Sequence, residues 1–312
     1  MSEPSTDELR VYRIDAFTAQ RGQGNAAGVV TNARDLDETG MQAIAHRLGY
    51  SETAFVLPAR GDDHDLHIRY FTPSVEVPVC GHATIGAHYA LALEGAAPGV
   101  RRQLTGAGIQ RVETMQGDDG IVIRMQQNPP IFAEPLAPPL VRELADALGL
   151  EIDELDARAP VQFVSTGHGK LLVPVRHRAR LRALRPDMPR LAALDERAGT
   201  RGYFVFTLDV DADDDARTHG RMFAPGIGIE EDPVTGNANG PLGAYLVRHG
   251  LIATDAPRVR FRARQQTGAG LGGFLDVEVD VEHGEPVAVT IEGRAVMGER
   301  IGQDLVASPD PA

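Results

Sequence analysis

Lysine is almost missing from this chain. Its 31 basic residues are all arginine except Lys170, so a Schiff-base mechanism has a single candidate. Lys170 lies in "TGHGKLLVPV", which reads as a loop entering a strand and predicts an exposed side chain. Cysteine is as scarce: Cys80 is the only one, which excludes an intrachain disulfide and a four-thiolate metal site. Positive charge is in deficit overall. A formal net charge of −13, without a basic cluster interleaved with aromatics, argues against a nucleic-acid partner. No apolar run reaches the ~18 residues that a membrane helix requires. The N-terminal "MSEPSTDELR" is polar and acidic, unlike a secretory or transit signal. A soluble, cytoplasmic protein with no membrane partner is expected.

What is present is an ordinary globular composition, 42% hydrophobic and 24% charged, over 312 residues, a length that suggests two domains. The first nine residues and the terminal "ASPDPA" read as loose tails. "LRVYRIDAFT" alternates as a strand does, "GNAAGVV" follows as a second strand, and "LDETGMQAIAHRLG" carries Leu36, Met41, Ile44, Ala45 and Leu48 on one helical face. Gly49 is a plausible helix stop. "TAFVLP" and "DLHIRYF" read as strands. "QNPPIFAEPLAPPL", 127–140, is Pro-rich and marks the domain boundary. Beyond it a helix at "VRELADALGL" precedes strands at "VQFVSTG", "KLLVPV" and "GYFVFTL". "DVDADDDARTHG" reads as a solvated acidic loop, and strands return at "RVRFRARQ", "GFLDVEVD" and "PVAVTIEGRAVM".

One feature occurs twice. "RYFTP" at 69–73 is followed by "EVPVCGHATIGAHYALAL" at 76–93; "RMFAP" at 221–225 is followed by "EDPVTGNANGPLGAYLV" at 231–247. The matching pentads are 152 residues apart and the Glu-x-Pro-Val-x-Gly-x-Ala sets 155 apart. Eight identities in order, at nearly constant offset, indicate duplication and two similar domains. After each motif glycine the chain is small or apolar nearly all round, the pattern of a helix buried on every side. Gly81 and Gly236 let something approach each helix start, where free amides and the helix dipole favour an anion. Two such starts would hold a small carboxylate between the domains. The alternative is that the glycines only permit tight packing at a helix entry; either copy alone would favour that reading, and the pair favours a site.

"VYRIDAFT…GNAAGVV", "SETAFVLP", "RYFTPSVEVPVCGHATIG" and "GRMFAPGIGIEEDPVTGNANGPLGAYL" resemble the PhzF-like phenazine-biosynthesis family, over almost the whole chain, and most closely a branch of uncharacterised isomerases. The resemblance implies a diaminopimelate epimerase-like α+β fold of two pseudo-symmetric domains, each a β-barrel around a central helix. The expected domains are 10–128 plus about 297–306, and 129–296, with the active site between them. It implies a cofactor-independent isomerase that moves a proton on a small carboxylate, and a homodimer. The family's acid/base glutamate falls on Glu52, and its assisting histidine and aspartate on His82 and Asp232. The substrate-binding set then comprises Cys80, Gly81, Ala83, Thr235, Gly236, Asn237 and Ala238. A partly buried carboxylate can act as both acid and base. Taken singly, Glu52 could be solvated, His82 could cap its helix, and Asp232 could complement a helix dipole; together they favour function.

Two positions depart from known relatives. Where the phenazine enzyme has a substrate-holding serine this chain has Asn237, which still hydrogen-bonds but adds an amide donor, so phenazine synthesis is not assigned. Epimerases of this fold place a thiol before each motif glycine; here the first is Cys80 and the second Thr235, which needs an activator to serve as a base. Two-thiol racemisation is thereby excluded. Cys80 reads as a small residue lining the site, and an epimerase or racemase using Glu52 or Cys80 is the alternative activity. A non-catalytic binding protein on the same scaffold is a third reading. The Gly-rich segments lack dinucleotide and phosphate-loop spacing, no nucleophile elbow occurs, and "HDLH" and His82 with His88 form no recognisable metal set. No cofactor and no metal are expected.

Overall fold

A computed structural model describes residues 8–117, 119–254 and 256–302. The tail segments 1–7 and 303–312, which include "ASPDPA" and residues 303–306 of the expected final strand, lie outside the described residues. The chain divides into two compact units, Met1–Met125 with Gly293–Ala312, and Gln126–Glu292.

In the first unit the end of the long strand Glu285–Ile301 pairs antiparallel with Val11–Ala16, which pairs antiparallel with Asn25–Val30. The order continues through Thr53–Pro58 (parallel), Leu66–Phe71 (antiparallel), Gly99–Thr105 (parallel), Gly108–Gly117 and Gly120–Gln126 (both antiparallel). Gly120–Gln126 pairs back onto Glu285–Ile301, and the barrel is closed. The second unit runs Ile131–Pro135, Gln162–Ser165, Lys170–Pro174, Tyr203–Thr207, Thr218–Ala224, Arg258–Gln266, Gly272–Glu282 and the start of Glu285–Ile301. Its pairings are again antiparallel, antiparallel, parallel, antiparallel, parallel, antiparallel, antiparallel. The duplication written in the sequence is therefore a duplication of strand order and direction. The fold is α+β, two similar β-barrels each around a central helix, of the diaminopimelate epimerase-like class.

The parallel steps need long crossovers, and these carry the helices. The helix Glu38–Leu48 lies in one crossover; Asp37 caps its start, and Gly49, at φ 67°, ends it in the left-handed conformation that glycine tolerates. The central helices Gly81–Leu93 and Gly236–Arg248 occupy the second crossover of each unit. Each is buried along most of its length against strands of its own unit, as their lack of a polar face requires. Outer helices pack on the barrel walls over separate apolar cores, one around Met41, Phe55 and Phe71, the other around Leu148, Leu191, Tyr203 and Phe223. Among the described residues no helix is long and apolar enough to cross a membrane.

Several elements differ from the sequence reading. The Pro-rich stretch read as a boundary carries regular structure that was not read: Ile131–Pro135 is a strand, and Pro138 and Pro139 open the helix Pro138–Leu148, where a missing N–H costs nothing. The helices Arg178–Ala183 and Met188–Ala198 and the strands between 99 and 126 carry too little periodicity to be read in advance. The acidic segment is not simply solvated. Asp211 pairs with Arg178, Asp214 with His219 at 2.8 Å, and Asp215 with Arg262 and Arg264 at 2.8 and 2.7 Å. Arginines from two separate elements and a histidine from a third tie it down, a long-range match that local composition does not reveal.

Candidate active site

The repeated residues form the same clasp twice. In the first copy Arg69 donates to both oxygens of Glu76, at 2.7 and 2.6 Å, and its guanidinium lies 5.1 Å from the Phe71 ring centre. In the second Arg221 donates to both oxygens of Glu231, at 2.6 and 3.1 Å, and lies 5.0 Å from the Phe223 ring centre. A bidentate arginine–carboxylate pair with aromatic stacking is strongly directional. It ties the strand that carries the Arg-x-Phe triplet to the turn that enters the central helix. Three of the eight repeated identities thus hold the turn.

In the first copy the differing residues are Cys80 and His82. Cys80 is the N-cap of its helix, and no side chain caps that helix start. The His82 ring does not cap it either. Its Nε2 lies 3.4 Å from Glu52 Oε2 and 3.4 Å from Ser51 Oγ, and its Nδ1 lies 3.4 Å from Cys80 Sγ. Glu52 is not freely solvated: its side chain is 15% exposed, and its backbone carbonyl accepts from the Gly28 amide at 3.1 Å, which fixes the residue at the head of the strand Thr53–Pro58. A Cβ at Gly81 would meet only the Met125 methyl, at an ordinary 3.5 Å. Packing does not require glycine there, and the tight-packing explanation loses its footing at this position. Ala83 is fully buried two residues further on.

A buried polar chain stands behind this group. Thr84 Oγ1 donates to the Cys80 carbonyl at 2.7 Å and meets the Tyr70 hydroxyl at 2.6 Å. Gln103 Nε2 donates to Tyr70 at 3.2 Å, and Gln103 Oε1 meets His88 Nε2 at 2.9 Å. Complete burial pushes the His88 pKa down to about 4, so the ring is neutral and its Nε2 carries the donated proton. His88 is occupied by this chain and does not join His82.

In the second copy Asp232 closes the strand Ile229–Asp232 and accepts from the hydroxyl of Thr235, the N-cap of the helix Gly236–Arg248. Gln265, wholly buried, donates to the Asp232 carbonyl at 2.7 Å and to Thr235 Oγ1 at 3.0 Å, and accepts from the Thr235 amide and Asn239 Nδ2, both at 2.9 Å. Gln127 Nε2 donates to the Gly236 carbonyl at 3.2 Å and lies 3.4 Å from Asn237 Oδ1. It crosses the helix where Gly240 leaves room, since a Cβ there would collide with the Gln127 amide. Ala238 is buried within the same first turn. Neither glutamine carried a local signal; both act through contacts 26 or more residues away.

Lys170 corrects the sequence reading. It is 4% exposed rather than on the surface, the first residue of the strand Lys170–Pro174, with Gly169 and Gly202 making space for the ring of Phe163 and for its own stem. Its Nζ donates to the Gly169 carbonyl at 3.3 Å. Burial pushes its pKa down to about 8, opposed by the charge of Asp232. In a chain that otherwise uses only arginine, the one lysine was itself the signal, because a buried ammonium can shed its proton where guanidinium cannot.

The structure thus gathers Glu52, Cys80 and His82 in the first unit, and Asp232, Thr235, Gly236 and Asn237, with Lys170, Gln127 and Gln265, in the second. Ligand-type atoms of Glu52, Cys80 and His82 lie within 4.8 Å of one another, the one such grouping of three among the described residues. A family model described as phenazine biosynthesis-like protein matches residues 14–300. The chain belongs to the PhzF-like phenazine-biosynthesis family. This PhzF-family chain is 44% identical, over 93% of its length and 96% of the relative's, to an uncharacterised isomerase of Clostridium acetobutylicum. It is 35% identical, over 77% of its length and 80% of the relative's, to the trans-2,3-dihydro-3-hydroxyanthranilate isomerase of Pseudomonas chlororaphis. The PhzF-family phenazine biosynthesis protein of Bacillus anthracis superimposes with a TM-score of 0.85 at 32% identity, covering 94% and 98% of the two chains. A protein of Agrobacterium radiobacter described as a probable proline racemase, at 17% identity and a TM-score of 0.59 over 93% and 91% of the two chains, shares the fold alone. The PhzF-family chain is an enzyme of the isomerase class.

Proposed function

We propose that the protein is a cofactor-independent isomerase that moves a proton between carbons of a small carboxylate, with Glu52 as the acid/base. The observation that carries this reading is the half-buried Glu52 carboxylate 3.4 Å from His82 Nε2, at the start of a buried helix with no side-chain cap. Glu52 takes a proton from a substrate carbon as carboxylate, and the resulting carboxylic acid returns it to another carbon, so the enzyme ends unchanged. His82 donates a hydrogen bond to the charge that develops between these steps, and the open amides of the helix start hold the substrate carboxylate. Asp232 takes part in the same reaction, with Thr235, Gln265 and Lys170 holding its orientation and charge. The substrate class follows from this anion-holding chemistry together with the family's isomerases.

Deuterium incorporation from heavy water into a panel of cyclic and amino-acid carboxylates tests the reading. Wild-type enzyme exchanges a carbon-bound proton of at least one member, and Glu52→Gln does not. Binding without exchange in both would reject proton-transfer chemistry. A second reading, an epimerase or racemase with Cys80 as the base, draws support from the Cys80 Sγ–His82 Nδ1 distance of 3.4 Å. It requires exchange to vanish in Cys80→Ala and to survive in Glu52→Gln.

A further inference from the structure

Glu52, Cys80 and His82 offer one oxygen, one sulfur and one nitrogen at the mouth of one helix. Tetrahedral zinc, with bonds of about 2.0–2.3 Å, sets its ligand atoms roughly 3.3–3.6 Å apart. Here Glu52 Oε2 lies 3.4 Å from His82 Nε2, Cys80 Sγ lies 3.9 Å from the same nitrogen, and all three ligand-type atoms fall within 4.8 Å. Side-chain adjustment of about an ångström would complete three corners of a tetrahedron. The frame is held: Thr84 fixes the Cys80 carbonyl at 2.7 Å, and the Gly28 amide fixes Glu52 through its carbonyl at 3.1 Å. All three side chains are mostly buried, so little water competes for them.

We propose that Glu52, Cys80 and His82 form a binding site for a single zinc-class divalent cation, which inhibits the enzyme reversibly. The thiolate–imidazole–carboxylate set favours Zn²⁺ or Cd²⁺ over Mg²⁺ and Ca²⁺, which take all-oxygen ligands. On binding, the Cys80 thiol releases its proton to solvent, and the lone pairs of His82 and Glu52 turn to the metal. The cation and a substrate proton therefore compete for the same Glu52 oxygen; this inhibitory consequence, unlike the site itself, rests on the proposed role of Glu52. The fourth corner is left for water.

The test uses the full chain without an affinity tag. Titration with Co²⁺ is followed by absorption and titration with Zn²⁺ by calorimetry, for wild type, Cys80→Ser and His82→Gln. The expected result is one site per chain and a near-ultraviolet thiolate-to-cobalt band that Zn²⁺ abolishes and Mg²⁺ does not. Zn²⁺ affinity falls at least about tenfold in each variant. Because Cys80 is the only cysteine, the wild-type band alone assigns the ligand even if a variant fails to fold. Absence of that band, or equal Zn²⁺ affinity in folded variants, would overturn the site. Where an exchanging substrate is found, Zn²⁺ stops exchange and EDTA restores it; a cation that binds without affecting exchange overturns the inhibition and leaves the site. A Glu52→Gln variant that still exchanges would instead sink the proposed function while the cobalt band stood.

Discussion

The two central helices share a frame and spend it differently. Thr84 and Asn239, 155 positions apart, both reach back one turn to the N-cap carbonyl, of Cys80 and Thr235 respectively. Both then connect to a strand glutamine, Gln103 through Tyr70 and Gln265 directly. One turn later the copies part. Position 88 is a buried histidine that completes a polar chain; its counterpart Gly243 has no side chain, and a Cβ there would come within 2.6 Å of Val277 and 2.9 Å of Val279. At the helix starts the first copy has the titratable set of Glu52, Cys80 and His82. The second has a closed network in which the Thr235 proton is already committed to Asp232. The two copies share what holds each turn and differ in the side chains at the helix start.

The largest expected effect breaks this asymmetry at its centre. Glu52→Gln lowers the exchange rate about 100- to 10,000-fold, and Asp232→Asn lowers it less, as measured by mass spectrometry of the recovered ligand. Equal losses would make the two copies equal partners in the chemistry. The clasps come next. Arg221 is buried and also donates to the Leu181 and Leu184 carbonyls at 3.2 and 3.0 Å, so Arg221→Met costs about 3–5 kcal/mol by leaving the mostly buried Glu231 charge without its cation. Arg69 faces the exposed Glu38 and Glu76, and Arg69→Met costs at most about 1 kcal/mol. Urea unfolding of both variants measures the difference.

Lys170 sharpens the comparison on the side of the second copy. Its folded pKa, down at about 8 from 10.5, lies below that of the unfolded chain, so between these values the unfolded state holds a proton that the folded state has lost. Stability from this group therefore rises with pH across that window, and at pH 7 the buried charge costs about 3 kcal/mol. Lys170→Met raises the melting temperature at pH 7 and flattens its alkaline rise, while exchange activity falls if the ammonium serves Asp232. His88 supplies a second titration test, in the first copy. Its pKa of about 4 in the folded state means that the unfolded chain takes up a proton as pH falls below about 6.5 and the folded one does not, a loss of about 2 kcal/mol by pH 5. His88→Gln, which keeps a donor for Gln103, reduces the slope of melting temperature against pH between 4 and 6.5.

Much of the fold was legible because it is written in local pattern. Alternation marked Val11–Ala16 and Arg258–Gln266 as strands, and the all-apolar segments after Gly81 and Gly236 marked the buried helices. Two outer helices of the second unit were not legible: Arg178–Ala183 is only six residues long and arginine-rich, and Met188–Ala198 carries Pro189 in its first turn. In the candidate site, the repeat drew attention to Cys80, His82, Thr235 and Asn237, and the family resemblance to Glu52 and Asp232. Gln127, Gln265 and the burial of Lys170 escaped, since their partners lie far away in the chain.

The sequence by itself determined the duplication, the strand periodicity, the two helices without a polar face and the membership of the family, all of which depend on residue type and spacing. Tertiary structure alone decided that Glu52 and His82, 30 positions apart, stand 3.4 Å from each other, that the only lysine is inside, and that the acidic loop is held by arginines. Such outcomes depend on which surfaces meet once the barrels close. A charge is exposed or buried, paired or unpaired, only with respect to neighbours that distant strands deliver, and no local pattern encodes them.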